Sequence, residues 1–319
     1  MAEAADVSAA AMSEATPALS VVIACRNGVE TLRETLEGLL AQRWDRPWEI
    51  VLADNGSTDG SAALFRAVAA AHPEMGMRVV DAATRRGKPF ALNIGIAGAR
   101  APAMVFCDAD DVPAPGWLAA MGTALDTHAL VACRIDFDRL NSGWIRGTRG
   151  DLQHAGLERL AFLPDLVHVG GGTMGMQRRV VDEIGGFDPD FAYLEDAEFS
   201  LRAQLTGHEI HFVPEAVMHV RARADLAPIF RQSYNWGHYE MKLVRRYRDR
   251  GISFAGGWQN YFRSWRRLLH HHLRKGLRPR PETMLNAARL RAGAGRLSGQ
   301  LAGMLLYRVP PYRPPTDTF

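Results

Sequence analysis

Ala103-Met104-Val105-Phe106-Cys107-Asp108-Ala109-Asp110-Asp111 is an apolar run that ends in carboxylates, and its reading decides the fold. A wholly apolar run of this length suits a strand buried on both faces, as strands are in parallel sheets flanked by helices. The acids that follow then stand at the carboxyl end of the strand, where open α/β sheets bind their ligands. Carboxylates crowded there repel one another unless a cation joins them, and Mg2+ or Mn2+ is held in this way by one or two carboxylates together with substrate phosphates. A phosphate-bearing substrate is therefore expected.

Upstream of this run, strand and helix patterns alternate. Leu19 to Ala24 is a β-branched apolar run, Thr31 to Gln42 has helical spacing at Leu32, Leu36, Leu39 and Leu40, and Glu49 to Ala53 reads as a second strand. A helix at Ser61 to Ala71, a strand at Met77 to Val80 and a helix at Ala91 to Ala99 complete the series. The rhythm predicts an α/β fold whose mostly parallel sheet carries helices on both faces. Polar clusters fall at the strand ends: Cys25-Arg26-Asn27, then Asp54-Asn55-Gly56-Ser57-Thr58-Asp59, then Asp108-Ala109-Asp110. The second cluster reads equally well as a turn and helix cap, because its side chains can satisfy orphan backbone N–H groups.

Beyond the fourth strand the pattern is mixed. Strands are expected at Leu130 to Phe137, at Val167 to Val169 before the run Gly170-Gly171-Gly172, and at Ile210 to Val213 and Val217 to Val220, which Pro214-Glu215 separates. From Leu226 the chain reads as helices with breaks at Gly251 to Gly257 and Arg278 to Pro281, and it ends Pro-rich after Val309. The expected domains are a disordered leader over 1–17, a catalytic α/β domain over 18–225 and a basic helical extension over 226–319.

With 319 residues, 47% of them hydrophobic and 23% charged, the chain can bury a full core without disulfide staples. Cys25, Cys107 and Cys133 form no C-x-x-C pair, which argues against a zinc knuckle and favours a reducing cytosol. The net charge of +3 conceals two unlike parts: residues 1–220 carry 18 Lys and Arg against 30 Asp and Glu, and residues 221–319 carry 20 against 5. An acidic part that handles a phosphorylated ligand calls for a metal, and a basic part suits anionic lipid or an anionic polymer. Residues 1–17 have neither a basic start nor an apolar core and do not read as a signal peptide. No stretch of ~18 consecutive apolar residues predicts a transmembrane helix, so membrane contact is expected to be peripheral, at the cytoplasmic face.

The D-x-D pattern is weak alone, since Asp136-Phe137-Asp138 and Asp188-Pro189-Asp190 also carry it, but only Asp108-Ala109-Asp110 ends an apolar strand of the series. Ser20 through Asn27, Val51 through Gly60, Arg86-Gly87-Lys88 through Asn93, and the Asp108 cluster resemble, in order and spacing, family 2 glycosyltransferases of the GT-A fold. The resemblance continues through Gly171 to Arg178, Gly185-Gly186-Phe187-Asp188 and Leu194 to Arg202. It implies a Rossmann-like mixed sheet, a nucleotide-diphospho-sugar donor (UDP-, GDP- or TDP-linked), Mn2+ or Mg2+, a glycan or lipid-linked acceptor, and inversion of the anomeric centre. By that resemblance Cys25, Arg26, Asn27, Asp54, Asn55, Gly87, Lys88 and Asn93 hold the nucleotide, with Asp54 at the base and Lys88 near base or phosphate. Asp108 and Ala109 lie by the ribose, Asp110 and His219 hold the metal, Asp196 is the general base and Glu195 orients the acceptor. Gln232, Trp236 and Gly237 would close over the diphosphate.

Each assignment has a structural alternative. Acids in a first helical turn favour the macrodipole, a lone histidine is commonly structural, and Trp236 equally suits a core. Gly170 to Gly175 formally matches G-x-G-x-x-G, but no long first strand precedes it, so a dinucleotide fingerprint is rejected. A sugar-1-phosphate nucleotidyltransferase is the rival enzyme, although Cys25-Arg26-Asn27-Gly28 is not its glycine-rich basic loop. A non-catalytic glycan- or lipid-binding subunit is the rival outside enzymes.

Trp258, Tyr261, Phe262, Trp265, Leu268, Leu269 and Leu273 form one helical stripe, with Arg263, Arg266, Arg267, Arg274 and Lys275 around the rest. Residues 257–276 therefore suit either an anionic membrane surface or packing on the rest of the chain. No nucleic-acid recognition motif accompanies the charge.

Overall fold

The computed structural model describes residues 16–141, 143–148, 150, 152–160, 163–250, 257–275 and 283–311. Most of the expected leader, the expected break at Gly251 to Gly257 except for Gly257 itself, the expected break at Arg278 to Pro281, and the chain after 311 lie outside these residues.

The strands are β1 (Leu19–Cys25), β2 (Trp48–Asp54), β3 (Gly76–Asp81), β4 (Ala103–Phe106), β5 (Val112–Pro113), β6 (Leu130–Asp136), β7 (Glu158–Leu160), β8 (Leu163–His168), β9 (Met174–Gln177) and β10 (Ile210–His219). The helices are α1 (Val29–Leu40), α2 (Ser61–Ala71), α3 (Lys88–Gly98), α4 (Trp117–Thr127), α5 (Arg178–Ile184), α6 (Glu195–Leu205), α7 (Leu226–Arg248), α8 (Trp258–Lys275) and α9 (Thr283–Tyr307). Eight strands form one sheet in the order β3-β2-β1-β4-β9-β6-β10-β5, while β7 and β8 pair separately. β3, β2, β1 and β4 run parallel, β9 is antiparallel to both β4 and β6, and β10 is parallel to β6.

Alternation along β1 sends Leu19, Val21 and Ile23 to one face, where they pack with Leu32 and Leu36 of α1, Phe65 of α2 and Trp117 of α4. Val22, Met104 and Phe106 face the other way, onto Leu92 and Ile96 of α3 and Phe199 of α6. Helices thus cover both faces, which explains why these strands are apolar throughout. At the amino ends, Glu49 is wholly buried and bonded to Ser20 (2.7 Å), Arg78 and Arg100 (each 2.9 Å), pinning the start of the sheet opposite the ligand edge.

Two expectations change. The runs around Pro214 form one strand, β10, because the register shift between Val213 and Val217 leaves the proline without a ladder bond to make. The segment expected as a strand at Val167 to Val169 ends in β8, and it is β9, just past the glycine run, that enters the main sheet.

The chain divides into two compact units that interleave in sequence. The first comprises residues up to Asp136, Gln153–Glu158 and His168–Val220; the second takes Phe137–Leu152, Arg159–Val167 and residues from Arg221 onward. In the second unit α7 and α9 approach to backbone contact: a Cβ on Gly237 would strike the Arg296 carbonyl, and one on Gly299 would strike that of Tyr234. Glu240, buried in this seam, is met by Arg296 and by Gln300 at 2.9 Å. Among the described residues no helix is long and apolar enough to cross a membrane.

Candidate active site

The order β3-β2-β1-β4 reverses direction between β1 and β4, which opens a crevice at their carboxyl ends. Asp108 leaves β4 into that crevice and turns at once, with the Asp111 N–H donating to the Asp108 carbonyl at 3.2 Å. The turn gathers ligating oxygens of Asp108, Asp110 and Asp111 within 4.8 Å of one another. Three hard oxygen donors on one short loop fit Mg2+ or Mn2+ better than a soft metal. Asp111, itself 4% exposed, received no role from sequence, although it stands in the same acidic run.

On the nucleotide edge, the loops after β1 and β2 lock together. Asn27, at φ 53°, accepts the Thr58 N–H at 2.8 Å, and the Val29 N–H donates to Asp59 at 2.9 Å. Asn55 is buried and acts as a hub: its amide donates to the carbonyls of Ala82 (2.5 Å) and Arg85 (2.8 Å) and accepts the Gly87 N–H (2.9 Å). Gly87, at φ 134°, supplies a backbone shape few other residues tolerate, and α3 begins there with Lys88. Asp54 accepts the Ser57 N–H at 3.0 Å, so the second cluster does cap its own turn. Arg26 is exposed, while burial raises the pKa of the Cys25 thiol.

Lys88 joins the two sides of the crevice. Its ammonium lies 2.7 Å from Asp108 and 3.6 Å from Glu195, the first residue of α6. Burial alone would lower the Lys88 pKa, but the carboxylates of Asp108 and Glu195 outweigh it and hold it above its ordinary value. Glu195 goes the other way: burial, helped by neighbouring Asp196 and opposed by Lys88, pushes it up to about 8. Asp196 is less enclosed, and its carboxylate accepts N–H groups from Gly171 (2.8 Å) and Ala197 (2.7 Å). The glycine run makes this possible, because a Cβ on Gly172 would lie 2.9 Å from the Asp108 carboxyl carbon.

Three expected residues stand outside this circuit. Asn93 exchanges bonds with the Phe187 backbone (2.7 and 2.8 Å), fixing the Gly185-Gly186 turn. His219 is bonded through Nδ1 to Asp136 at 2.6 Å and lies opposite Val112 on β5. Gly237 is occupied by the α7–α9 contact. Gln153 is a residue that sequence missed: it bonds the Cys133 carbonyl and the Thr173 hydroxyl (each 2.7 Å) and accepts the Gly170 N–H (3.0 Å), clamping the glycine run. Nothing local to its sequence signals that role.

Comparison with known proteins bears on the same residues. Residues 20–185 match the model of glycosyl transferase family 2, and residues 104–279 match that of glycosyl transferase family group 2. The chain is 26% identical over 235 residues to the poly-β-1,6-N-acetyl-D-glucosamine synthase of Staphylococcus aureus, a stretch that covers 70% of this chain and 55% of the synthase. It is 24% identical over 238 residues to the succinoglycan biosynthesis protein ExoA of Rhizobium meliloti, covering 72% and 70%. The chain thus spans about half the length of the synthase it matches. Among solved structures, the mannosyltransferase PcManGT of Pyrobaculum calidifontis, in complex with GDP-Man and Mn2+, superposes with TM-score 0.56 at 21% identity over 93% of this chain and 76% of that one. That likeness shows the fold. The two family models together run from the first strand through the acidic cluster and the glycine run into the helical unit, so this chain belongs to glycosyl transferase family 2 and has the GT-A fold.

Proposed function

We propose that this chain moves a sugar from a UDP-, GDP- or TDP-linked donor to a hydroxyl of a glycan or lipid-linked saccharide, with inversion at the anomeric carbon. The carrying observation is the circuit in which Lys88 spans Asp108 and Glu195 while Gly171 and Gly172 meet Asp196 and Asp108. The groups assigned to donor and to acceptor are thereby joined by hydrogen bonds and by the Lys88–Glu195 ion pair. Asp196 takes the proton of the acceptor hydroxyl, the freed oxygen bonds to the anomeric carbon, and the bond to the diphosphate breaks with its electron pair leaving on the nucleoside diphosphate. Lys88 places fixed positive charge beside the ribose-binding Asp108, and Glu195, whose carboxyl burial raises above the usual carboxylate range, is a poorer base than a solvated acid and orients the acceptor beside Asp196. Asp110 and Asp111, with Asp108, would hold Mn2+ or Mg2+, whose chemistry when bound is to neutralise charge on the departing diphosphate. The names of the S. aureus synthase and the ExoA protein support a glycan acceptor, and a lipid-linked acceptor would bring the chain to the cytoplasmic face of a membrane.

The test is a panel of UDP-, GDP- and TDP-sugars with Mn2+, scored by release of the nucleoside diphosphate. Asp196→Asn is expected to lower turnover about 10²- to 10⁴-fold while keeping Mn2+-dependent nucleotide binding by calorimetry. Asp110→Ala should lose the Mn2+ dependence. Turnover of no donor by the unaltered chain would reject the reading, and full Mn2+-dependent activity in Asp110→Ala would reject the metal assignment.

A further inference from the structure

Helix α8 carries two stripes where the sequence suggested one. Tyr261, Ser264 and Leu268 are buried, and the Tyr261 hydroxyl donates to the Leu297 carbonyl of α9 at 2.9 Å. Trp258, Phe262, Trp265 and Leu269, spaced i, i+4, i+7 and i+11, form a separate line on the helix, and three of them are strongly exposed: Trp258 by 47%, Phe262 by 61% and Leu269 by 49%. Trp258, Phe262 and Leu269 thus stand outside the packing of α8 on α9, while half-buried Trp265 lies beside Tyr261. Among the described residues the rings of Trp258 and Phe262 lie against each other and against Tyr261, at centroid distances near 6 Å.

Exposure of large apolar side chains is concentrated here. Of the nine strongly exposed ones among the described residues, seven lie on α8 and α9, including Leu305 at 70% and Leu306 at 65%. The same part of the chain carries the positive charge: α8 contains no acid, and Arg263, Arg266 and Arg267 are exposed beside the aromatic line. Aromatic rings with an adjacent row of guanidinium groups match an anionic lipid surface, where rings enter the headgroup boundary and cations meet lipid phosphates. A protein partner of ordinary composition would leave that many arginines without counter-charges.

We propose that α8 docks the chain on an anionic membrane surface, with Trp258, Phe262, Trp265 and Leu269 entering the lipid interface and Arg263, Arg266 and Arg267 contacting headgroup phosphates. None of these residues belongs to the sugar-transfer circuit, so the proposal stands whether or not that mechanism holds.

The full chain should co-sediment with vesicles of phosphatidylcholine containing about one third phosphatidylglycerol, and far less with phosphatidylcholine alone. Replacing Trp258, Phe262 and Leu269 together by serine should weaken vesicle binding about a hundredfold or more. Replacing Arg263, Arg266 and Arg267 by serine should weaken it about fivefold for each charge removed, and added salt should do the same to the unaltered chain. A measurement that needs no variant is quenching of the unaltered chain's tryptophan fluorescence by brominated acyl chains in the anionic vesicles, expected to be strong. Absence of both quenching and co-sedimentation would overturn the proposal, as would equal binding by the triple serine variant. A lipid-free dimer of the unaltered chain that the serine variant abolishes, with no vesicle binding, would assign the stripe to a second copy instead and likewise overturn it.

Discussion

Gln153 shows how much one side chain can hold. It is buried, sits at φ 50°, and has its amide oxygen and nitrogen committed to Gly170, Cys133 and Thr173. Gln153→Ala would leave those groups unsatisfied in the interior, and a loss of about 2–4 kcal/mol is expected by urea denaturation. Gly171, whose N–H meets Asp196, follows directly on Gly170, whose N–H Gln153 accepts, so turnover should fall by more than donor affinity does. Glu195 makes a pH-dependent contribution of definite sign. Its native pKa of about 8 stands above the ordinary 4.5, so the folded chain keeps a proton that the unfolded chain releases. The associated stability is complete below the lower value and is lost as pH rises through the higher one. The metal-free protein should therefore lose stability between about pH 5 and about pH 8, by on the order of a few kcal/mol, and Glu195→Gln should flatten that slope. An unchanged slope in Glu195→Gln would mean that another group carries the proton.

At the scale of elements, the α7–α9 pair depends on glycine. Gly295, Gly299 and Gly303 recur every fourth residue along α9, and each faces backbone or Cβ atoms of α7. Gly299→Val should force the helices apart and cost about 3 kcal/mol or more, read as a lower midpoint in thermal unfolding. That seam was not legible beforehand, because small residues at i, i+4 and i+8 in a polar helix resemble poor helix-forming sequence more than a contact surface. The first four strands and their helices were legible, since apolar runs broken by turn residues have one compact solution when both sheet faces are covered. β9 was hidden in Met174–Gln177, four residues whose strand character depends on neighbours from β4 and β6. The acidic loop could be read from its own residues. The clamp by Gln153, the hub at Asn55 and the pairing of His219 with Asp136 depend on partners 17 to 20, 27 to 32 and 83 residues away, and no local pattern encodes such distances.

Considered whole, the chain is not two beads on a string. Residues 137–152 leave the sheet after β6 and belong to the helical unit, where Asn141 accepts the Ala222 N–H at 2.8 Å and Arg289 donates to the Gly147 carbonyl at 3.1 Å. Truncation after residue 225 should therefore not yield a clean catalytic fragment. Limited trypsin digestion is expected to cut such a fragment at Arg139 or Arg146 well before it cuts the full chain there, and equal cleavage rates would contradict this. The interleaving also sets a schedule for synthesis. Gly147 and Arg289 are 142 residues apart, so at about 5–20 residues per second a ribosome leaves the excursion after β6 without its partner for roughly 7–30 s. β6 itself waits for β9 and β10 through part of that interval. Until β9 emerges, the half-made chain therefore carries the edge of β4 without its neighbour, a template for wrong strand pairing that the finished sheet no longer offers.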